Sequence, residues 1–140
     1  RLKVNYKDGK GDGLCEYYLE NGHLHYRYNE KDGEKDGLGM RFYEYGQLKS
    51  RVNYKNGEMD GPYERFYATG QLQERVNYKD GEMDGIQEWF YKNGQILERG
   101  NFKDGKVEGL REYFDEEGNL TKSETWKNVK LIEEMHHGSI

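Results

Sequence analysis

The sequence predicts an all-β fold, a single-layer twisted antiparallel sheet of stacked β-hairpins with a 24-residue repeat. The first observation is near-identical copies of one segment, VNYKNGEMDG at 52–61 and VNYKDGEMDG at 76–85. The second is a period-two alternation of apolar and polar residues between the glycines, which is typical of β-strands. The third is that aromatic residues, 14% of the chain, recur in phase with the repeat. Disordered chains are poor in aromatic residues, so a thin repetitive structure is expected.

The glycines fix the register of the repeat. Fifteen of the 19 glycines occupy three positions in the repeating unit, which is the signature of a repeat architecture. The three rows are Gly9, Gly33, Gly57, Gly81 and Gly105; Gly13, Gly37, Gly61, Gly85 and Gly109; and Gly22, Gly46, Gly70, Gly94 and Gly118.

The repeat divides the chain into one array and a tail. The array is expected to cover residues 1–126, and residues 127–140 are expected to form a cap or a loose tail, because terminal units of such arrays are atypical. The array begins with a half unit at 1–11, and full units start at Asp12, Asp36, Asp60, Asp84 and Glu108.

Each unit is expected to contain two strands, such as 14–20 and 23–31, joined by a short loop and therefore antiparallel. In the loop, the residue before glycine is Tyr45 in one unit and Glu117 in another. These residue types tolerate positive φ badly, so the sequence favours a three-residue loop with only the glycine left-handed. In that loop residue 18 faces residue 24, and residue 14 is expected to face residue 28.

This register predicts one packed face. Its rows are Leu14, Leu38, Ile86 and Leu110, with Pro62 in one unit; Tyr18, Phe42, Phe66, Phe90 and Phe114; Leu24, Leu48, Leu72, Ile96 and Leu120; and Val52, Val76, Tyr54, Tyr78, Phe102 and Trp126. Pro62 is expected at the first residue of its strand, where a missing N–H matters least.

The opposite face is predicted to carry regularly spaced arginines and aromatic residues. These residue types are enriched in protein interfaces, so we expect this face to bind a partner. The alternative from the same residues is structural, with each arginine pairing with neighbouring acids. Arg27 occupies the same repeat position as Arg51, Arg75 and Arg99. The candidate binding residues are Arg51, Arg75, Arg99, Arg41, Arg65, Tyr43, Tyr67, Tyr91 and Trp89.

Composition excludes several function classes. The net charge is -5, with 22 basic and 27 acidic residues, so nucleic acid is not expected as a partner. No run of 18 apolar residues occurs, which leaves no transmembrane helix. Cys15 is alone and is expected to be a tolerated small residue rather than a nucleophile. The chain starts at Arg1 rather than Met, so a targeting segment could be missing; the cytoplasm is slightly favoured, and a secreted or periplasmic location stays open.

The repeat resembles the second variety of MORN repeat, common in bacterial proteins. The resemblance covers residues 4–126 and lies in Y-K-D-G-x-x-D-G, followed by two aromatic residues, then G-Q-L and Arg. It implies a binding or scaffold role without catalysis, and some bacterial proteins of this kind are antitoxin or immunity components of the YwqK type. Other MORN proteins are associated with membrane phospholipids. The chain departs from the pattern at Glu30, Gly39 and Gly100.

No enzyme, cofactor or metal site is expected. The Asp-Gly pairs could suggest calcium, but turns use the same residues, Asp to cap and Gly for positive φ. Glu16, Glu64, Glu88 and Glu112 form a row that is expected to be structural, because an active site is unique and not repeated. His23 and His25 are expected to be surface residues.

The expected function is therefore protein binding, for example to a toxin or within a scaffold. Two alternatives remain at this point. The arginines could hold lipid phosphates at a membrane surface, or the two end strands of the open sheet could pair edge to edge with another copy.

Overall fold

The computed structural model describes residues 2–3, 6–7, 10–128 and 130–137. The predicted half unit therefore falls partly outside the described residues, at 1, 4–5 and 8–9, and Gly9 with it. The predicted cap does so at 129 and 138–140.

Every regular element among the described residues is a β-strand. The strands are β1 (Leu2–Lys3), β2 (Tyr6–Lys7), β3 (Lys10–Gly11), β4 (Gly13–Tyr18), β5 (Leu24–Lys31), β6 (Glu34–Lys35), β7 (Gly37–Phe42), β8 (Leu48–Lys55), β9 (Glu58–Phe66), β10 (Leu72–Lys79), β11 (Glu82–Phe90), β12 (Ile96–Lys103), β13 (Lys106–Val107), β14 (Gly109–Phe114), β15 (Leu120–Lys127) and β16 (Lys130–His136).

Fourteen of these strands form one open antiparallel sheet within the described ranges. Its order is β1-β4-β5-β7-β8-β9-β10-β11-β12-β14-β15-β16, with β6 paired to β5 and β13 paired to β12. The remaining two, β2 and β3, pair with each other. From β4 onward the long strands thus lie side by side in the order of the sequence, which confirms the predicted sheet of stacked hairpins.

The three-residue loop has the predicted conformation. The Leu19 N–H donates to the carbonyl of His23 at 2.9 Å, and the Gly22 N–H donates to the carbonyl of Leu19 at 3.0 Å. Only the glycine is left-handed, with φ of 90° at Gly22. Tyr18 then pairs with Leu24 as predicted.

The other connection is a two-residue turn in which both residues are left-handed. Asp32 and Gly33 have φ of 53° and 83°, and Lys31 pairs with Glu34 across the turn. This is the type I′ geometry, and Asp and Asn suit its first position because they tolerate positive φ. The turns also stack along the array, since the Gly57 N–H donates to the Lys35 carbonyl at 2.9 Å.

A one-residue bulge beside each three-residue loop overturns part of the predicted register. Leu14 pairs with Asn29, and Cys15 pairs with Tyr28, so the prediction that residue 14 faces residue 28 is wrong. The extra residue is His25, which lies between the Tyr18–Leu24 and Tyr17–Tyr26 pairs. A shift by one residue moves every following side chain of that strand to the other face.

A larger bulge interrupts the pairing near the second glycine of each repeat. Val52 pairs with Tyr63 and Tyr54 pairs with Met59, which leaves residues 60–62 in the bulge opposite Asn53. Pro62 lies inside β9 rather than at its start, so that prediction is wrong. The bulge explains why proline is accepted there, because the ladder to β8 is already broken.

The two faces of the sheet follow from this register, because directly paired residues share a face and neighbours along a strand alternate. We call them the tyrosine face, which contains Tyr26, Tyr28 and Tyr54, and the arginine face, which contains Arg51 and Arg75. All buried side chains described lie on the tyrosine face. They are Cys15, Tyr26, Tyr28, Val52 and Val76, with the polar residues Ser50, Glu74, Gln87 and Glu124.

Predicted burial is therefore confirmed for Val52 and Val76 and wrong for the row that contains Leu38, Ile86 and Leu110. Leu38, Ile86 and Leu110 are exposed on the arginine face. The predicted packed face combined residues that the bulge separates onto opposite sides of the sheet.

Two glycines that depart from the repeat make room on the tyrosine face. A Cβ atom added at Gly39 would lie 2.7 Å from Cε2 of Tyr54, and one added at Gly100 would lie 2.7 Å from Nη1 of Arg111. Both distances are far below a van der Waals contact. Each glycine thus leaves space for a large side chain on a neighbouring strand.

Candidate partner-binding surface

The predicted arginine row forms a ladder of ion pairs on the arginine face. Arg51 pairs with Glu64 at 2.8 Å and Arg75 pairs with Glu88 at 2.8 Å. The same pair recurs as Arg99 with Glu112 at 2.9 Å, whereas Arg27, which has Met40 opposite it in the next unit, pairs with Glu16 of its own unit at 2.8 Å. Every arginine in the row is therefore paired with a carboxylate of the adjacent strand.

The arginines also lie over the phenylalanine row. The guanidinium carbon of Arg51 is 5.5 Å from the centre of the Phe66 ring, and that of Arg99 is 5.4 Å from the Phe114 ring. Stacking of this kind stabilises exposed sites by about 0.5–1 kcal/mol. Ion pair and ring together hold each of these guanidinium groups against the next unit.

The predicted tyrosine row joins neighbouring units. The hydroxyl of Tyr43 donates to the carbonyl of Phe66 at 2.6 Å, and the hydroxyl of Tyr67 donates to the carbonyl of Phe90 at 2.5 Å. Tyr91 repeats the contact with Phe114 at 2.6 Å. These three candidates are hydrogen-bonded within the array rather than directed at a partner.

The remaining candidates lie on the tyrosine face. Arg41 packs over the ring of Tyr26 at 4.0 Å, and Arg65 and Trp89 lie across from Glu74 on neighbouring strands. The prediction that these three share a face with Arg51, Arg75 and Arg99 is wrong, because the bulge places the two sets on opposite sides. Whether any of the nine candidates binds a partner stays a prediction.

A row of exposed apolar side chains was missed as a candidate site. The row contains Leu38, Pro62, Ile86 and Leu110, one from each of four successive units. Leu38 is 45%, Ile86 62% and Leu110 54% exposed. The signal that could have revealed it is the Glu–Arg pair that three of the five units carry, because opposite charges favour the register in which they face each other.

A cleft on the arginine face lies between two of these side chains. Ile86 and Leu110 line it together with Arg99, Glu112, Asn101 and Glu108, and its volume is about 410 Å³. Its walls thus offer apolar surface, a neutral ion pair and one further carboxylate.

That further carboxylate belongs to an acidic row beside the apolar one. Asp36, Asp60, Asp84 and Glu108 occupy one repeat position, two residues before Leu38, Pro62, Ile86 and Leu110. Among the described residues, none of the four has a basic side chain within ion-pairing distance. These carboxylates are therefore unpaired next to the apolar row, as are two lysines that share clefts with them, Lys31 with Asp36 and Lys103 with Glu108.

The tyrosine face holds a chain of buried polar groups instead of an open surface. The Gln87 amide donates to Glu74 at 2.7 Å, and Arg111 pairs with Glu98. Burial raises the pKa of Glu74, an effect that the hydrogen bond from Gln87 and the charge of Arg65 only partly oppose. Polar networks thus connect many of the packed side chains of this face.

Glu124 shows the opposite pKa shift on the same face. Burial opposes its ionisation, yet the hydroxyl of Tyr113 donates to it at 2.7 Å and the indole of Trp126 at 3.3 Å. With Lys122 nearby, these contacts hold the pKa of Glu124 below its usual range. Burial and the bond to Glu124 raise the pKa of Tyr113 to about 12.

The cysteine and the two histidines considered in the sequence analysis differ in exposure. Cys15 is fully buried, and burial raises the pKa of its thiol, while His23 and His25 are exposed as predicted. Within the described ranges there is no group of three or more His, Cys, Asp or Glu that could hold a metal ion. No helix among the same residues has the length and apolar character to cross a bilayer.

The family model for the MORN repeat variant matches the chain four times in tandem, at residues 35–56, 59–80, 83–104 and 107–128. The chain belongs to the MORN repeat family. The matches cover well over half of the sequence and share the 24-residue spacing of the glycine rows. MORN repeats are generally protein-binding or membrane-binding modules.

Comparison with other proteins adds little to this. No curated protein matches the chain. Among solved structures, it is similar to a TarM variant from S. aureus in complex with fondaparinux, alpha-GlcNAc-glycerol and UDP, with 14% identity over 76% of this chain and a TM-score of 0.47. A second TarM structure gives 14% identity over 74% and a TM-score of 0.44. Accessory secretory proteins 1, 2 and 3 of Streptococcus pneumoniae give 15% over 89% and 0.24. The chain spans 21%, 21% and 18% of those chains.

Proposed function

We propose that this MORN-repeat chain is a non-enzymatic protein-binding module whose partner contacts the arginine face. The observation that carries the proposal is the exposed apolar row, with Ile86 at 62% and Leu110 at 54% exposure in adjacent units. Exposed apolar surface rimmed by polar residues is typical of protein interaction sites. Here Asn53, Asn77 and Asn101 of the intervening strands separate the apolar side chains. The neutral Arg–Glu ladder beside it supplies a rigid rim without a net charge to desolvate.

The alternative, binding to phospholipid headgroups, depends on free basic groups. Arg51, Arg75 and Arg99 are each paired with a glutamate, so a lipid phosphate would have to displace a carboxylate. The net charge of -5 also opposes approach to an anionic membrane. We expect the chain to stay in solution when it is sedimented with vesicles of anionic phospholipid, and salt-sensitive pelleting would support the lipid alternative instead.

The test removes apolar surface from the row without disturbing the sheet. The substitutions Ile86→Thr and Leu110→Gln replace exposed side chains, and Thr keeps the β-branch that strands favour. We expect the double variant to lose the protein that co-purifies with the wild-type chain. Retention of that protein would contradict the proposal.

The matched control lies on the edge strand β16. Leu131 and Ile132 are 43% and 61% exposed, close to the values in the row. The substitutions Leu131→Gln and Ile132→Thr should leave capture unchanged. If this variant alone loses the protein, then the sheet edge is the docking site, and edge-to-edge self-association becomes the better account.

The captured protein also decides the finer alternatives. A toxin released by the Ile86 and Leu110 variant would support the immunity role that the family resemblance implies. A structural protein would support a scaffold role.

A further inference from the structure

Three features of the arginine face together specify the shape of the ligand, and this step rests on the proposed function. They are the apolar row of Leu38, Pro62, Ile86 and Leu110, the acidic row of Asp36, Asp60, Asp84 and Glu108, and the distance between units. We propose that the apolar row binds a basic segment of a partner protein in the polyproline II conformation, one turn of the segment to each unit.

The distance between units selects the three-residue turn. Equivalent residues are two strands apart, and strands are ~4.8 Å apart, so the rows repeat every ~9.6 Å. A polyproline II helix has three residues per turn and a rise of about 3.1 Å, which repeats every ~9.3 Å. The two repeats stay within about 1 Å over the three intervals of the row.

The other regular conformations do not match. An α-helix covers ~9.6 Å in about 6.4 residues, which is about 80° short of two full turns, so successive units would meet different sides of the helix. A β-strand places alternate side chains on opposite sides, so its every third residue would point alternately toward and away from the sheet. Only the three-fold helix presents an equivalent side chain to every unit.

The unpaired carboxylates beside the apolar row favour a ligand segment with basic side chains. The arginines on this face are neutralised by Glu64, Glu88 and Glu112. The acids of the second row have no such partner in the described part of the chain. Lys103 and Lys106 share a cleft with Glu108, and Lys31 shares one with Asp36, but these lysines lie beyond ion-pairing distance of the acids. A ligand with one apolar and one basic side chain per turn would complement both rows.

The cleft between Ile86 and Leu110 shows how one turn would fit. Its volume is about 410 Å³, and Asn101 of the intervening strand lies between these two apolar side chains, with Glu108 also lining the cleft. An apolar side chain of the ligand would enter between Ile86 and Leu110. The Asn101 amide has both a donor and an acceptor for the ligand's backbone, which a polyproline II helix leaves free of internal hydrogen bonds.

The experiment uses a synthetic peptide of four Leu-Pro-Lys triplets, labelled with fluorescein and titrated with the full chain by fluorescence anisotropy. The comparison peptide has the same composition in an order without a period of three. We expect the periodic peptide to bind at least about ten-fold more tightly, since only it aligns with all four units. Equal affinity for the two peptides would overturn the proposal.

Variants of the chain assign the contact. Ile86→Thr with Leu110→Gln should weaken binding about ten-fold, whereas Leu131→Gln with Ile132→Thr should not change it. Asp60→Asn with Asp84→Asn should weaken binding about three- to ten-fold at low salt and reduce its salt dependence. Binding that is unaffected by both row variants would place the peptide elsewhere and contradict the proposal.

The outcomes separate this inference from the proposed function. If the periodic peptide fails but capture of the co-purifying protein still depends on Ile86 and Leu110, the arginine face binds a folded surface and only the ligand's conformation is wrong. If capture is also independent of these residues, the proposed function is wrong as well.

Discussion

The two faces of the sheet follow the repeat to different degrees. On the arginine face the same Arg–Glu pair between successive units recurs from Arg51 with Glu64 to Arg99 with Glu112. On the tyrosine face the position of Val76 is held by Tyr28, Val52, Gly100 and Glu124 in other units. The first face repeats one exposed contact between successive units, so the same residues serve most units. The second buries its side chains, so each departure requires a compensating change next to it.

The compensating pairs give the largest expected effect. Gly39→Val should destabilise the chain by about 3 kcal/mol, because Tyr54 occupies the space that the new side chain needs. The measurement is urea unfolding followed by circular dichroism. If the pairing is real, Tyr54→Ala should cost less in the Gly39→Val background than in the wild-type chain. Additive effects of the two substitutions would break the comparison.

The next largest effect compares aliphatic residues on the two faces. Val76 is 1% exposed and Ile86 is 62% exposed. Val76→Ala should cost about 2 kcal/mol through the loss of buried methyl groups. Ile86→Ala should stay within about 0.5 kcal/mol of the wild type. Similar losses at both sites would mean that the arginine face is also a packed surface.

A third effect depends on pH and arises from the buried acid of the tyrosine face. Burial raises the pKa of Glu74, so the folded state binds its proton more tightly than the unfolded chain does. The contribution of Glu74 to the free energy of folding therefore becomes less favourable as pH rises from the ordinary pKa of a glutamate through the raised pKa of Glu74. Glu74→Gln keeps the shape and removes the ionisation.

We expect the Glu74→Gln variant to gain melting temperature relative to the wild type at neutral pH, with the gain shrinking in acid. The control is Glu58→Gln at an exposed hairpin turn. A gain that does not change with pH would show that packing and not ionisation is responsible.

The smallest effect is expected for the ion-pair ladder. A double-mutant cycle on Arg75→Ala and Glu88→Ala should give a coupling of about 0.5 kcal/mol, reduced by salt, because the arginine is largely exposed. A coupling above about 2 kcal/mol would give the arginine face a larger share of the stability than the comparison allows.

The repeat, the strands and the three-residue loop could be predicted because glycine rows and alternation are local properties of the sequence. The assignment of residues to the two faces could not be predicted, because a single unpaired residue such as His25 decides it. The positions equivalent to His25 hold Lys49, Gln73, Leu97 and Thr121. No residue type marks that bulge. The prediction of the candidate site was affected most. The one-residue shift places Arg65 and Trp89 on the face opposite Arg51 and leaves Ile86 exposed.

The central claim is that a partner binds the arginine face while the tyrosine face maintains the fold. The most direct measurement replaces one residue at a time with a photo-crosslinking amino acid and identifies the adducts by mass spectrometry. The informative positions are 86 and 110 on the arginine face, 41 on the tyrosine face and 132 at the edge. The account predicts adducts with the partner from positions 86 and 110 and none from 41 or 132. Adducts from position 41 alone would contradict it.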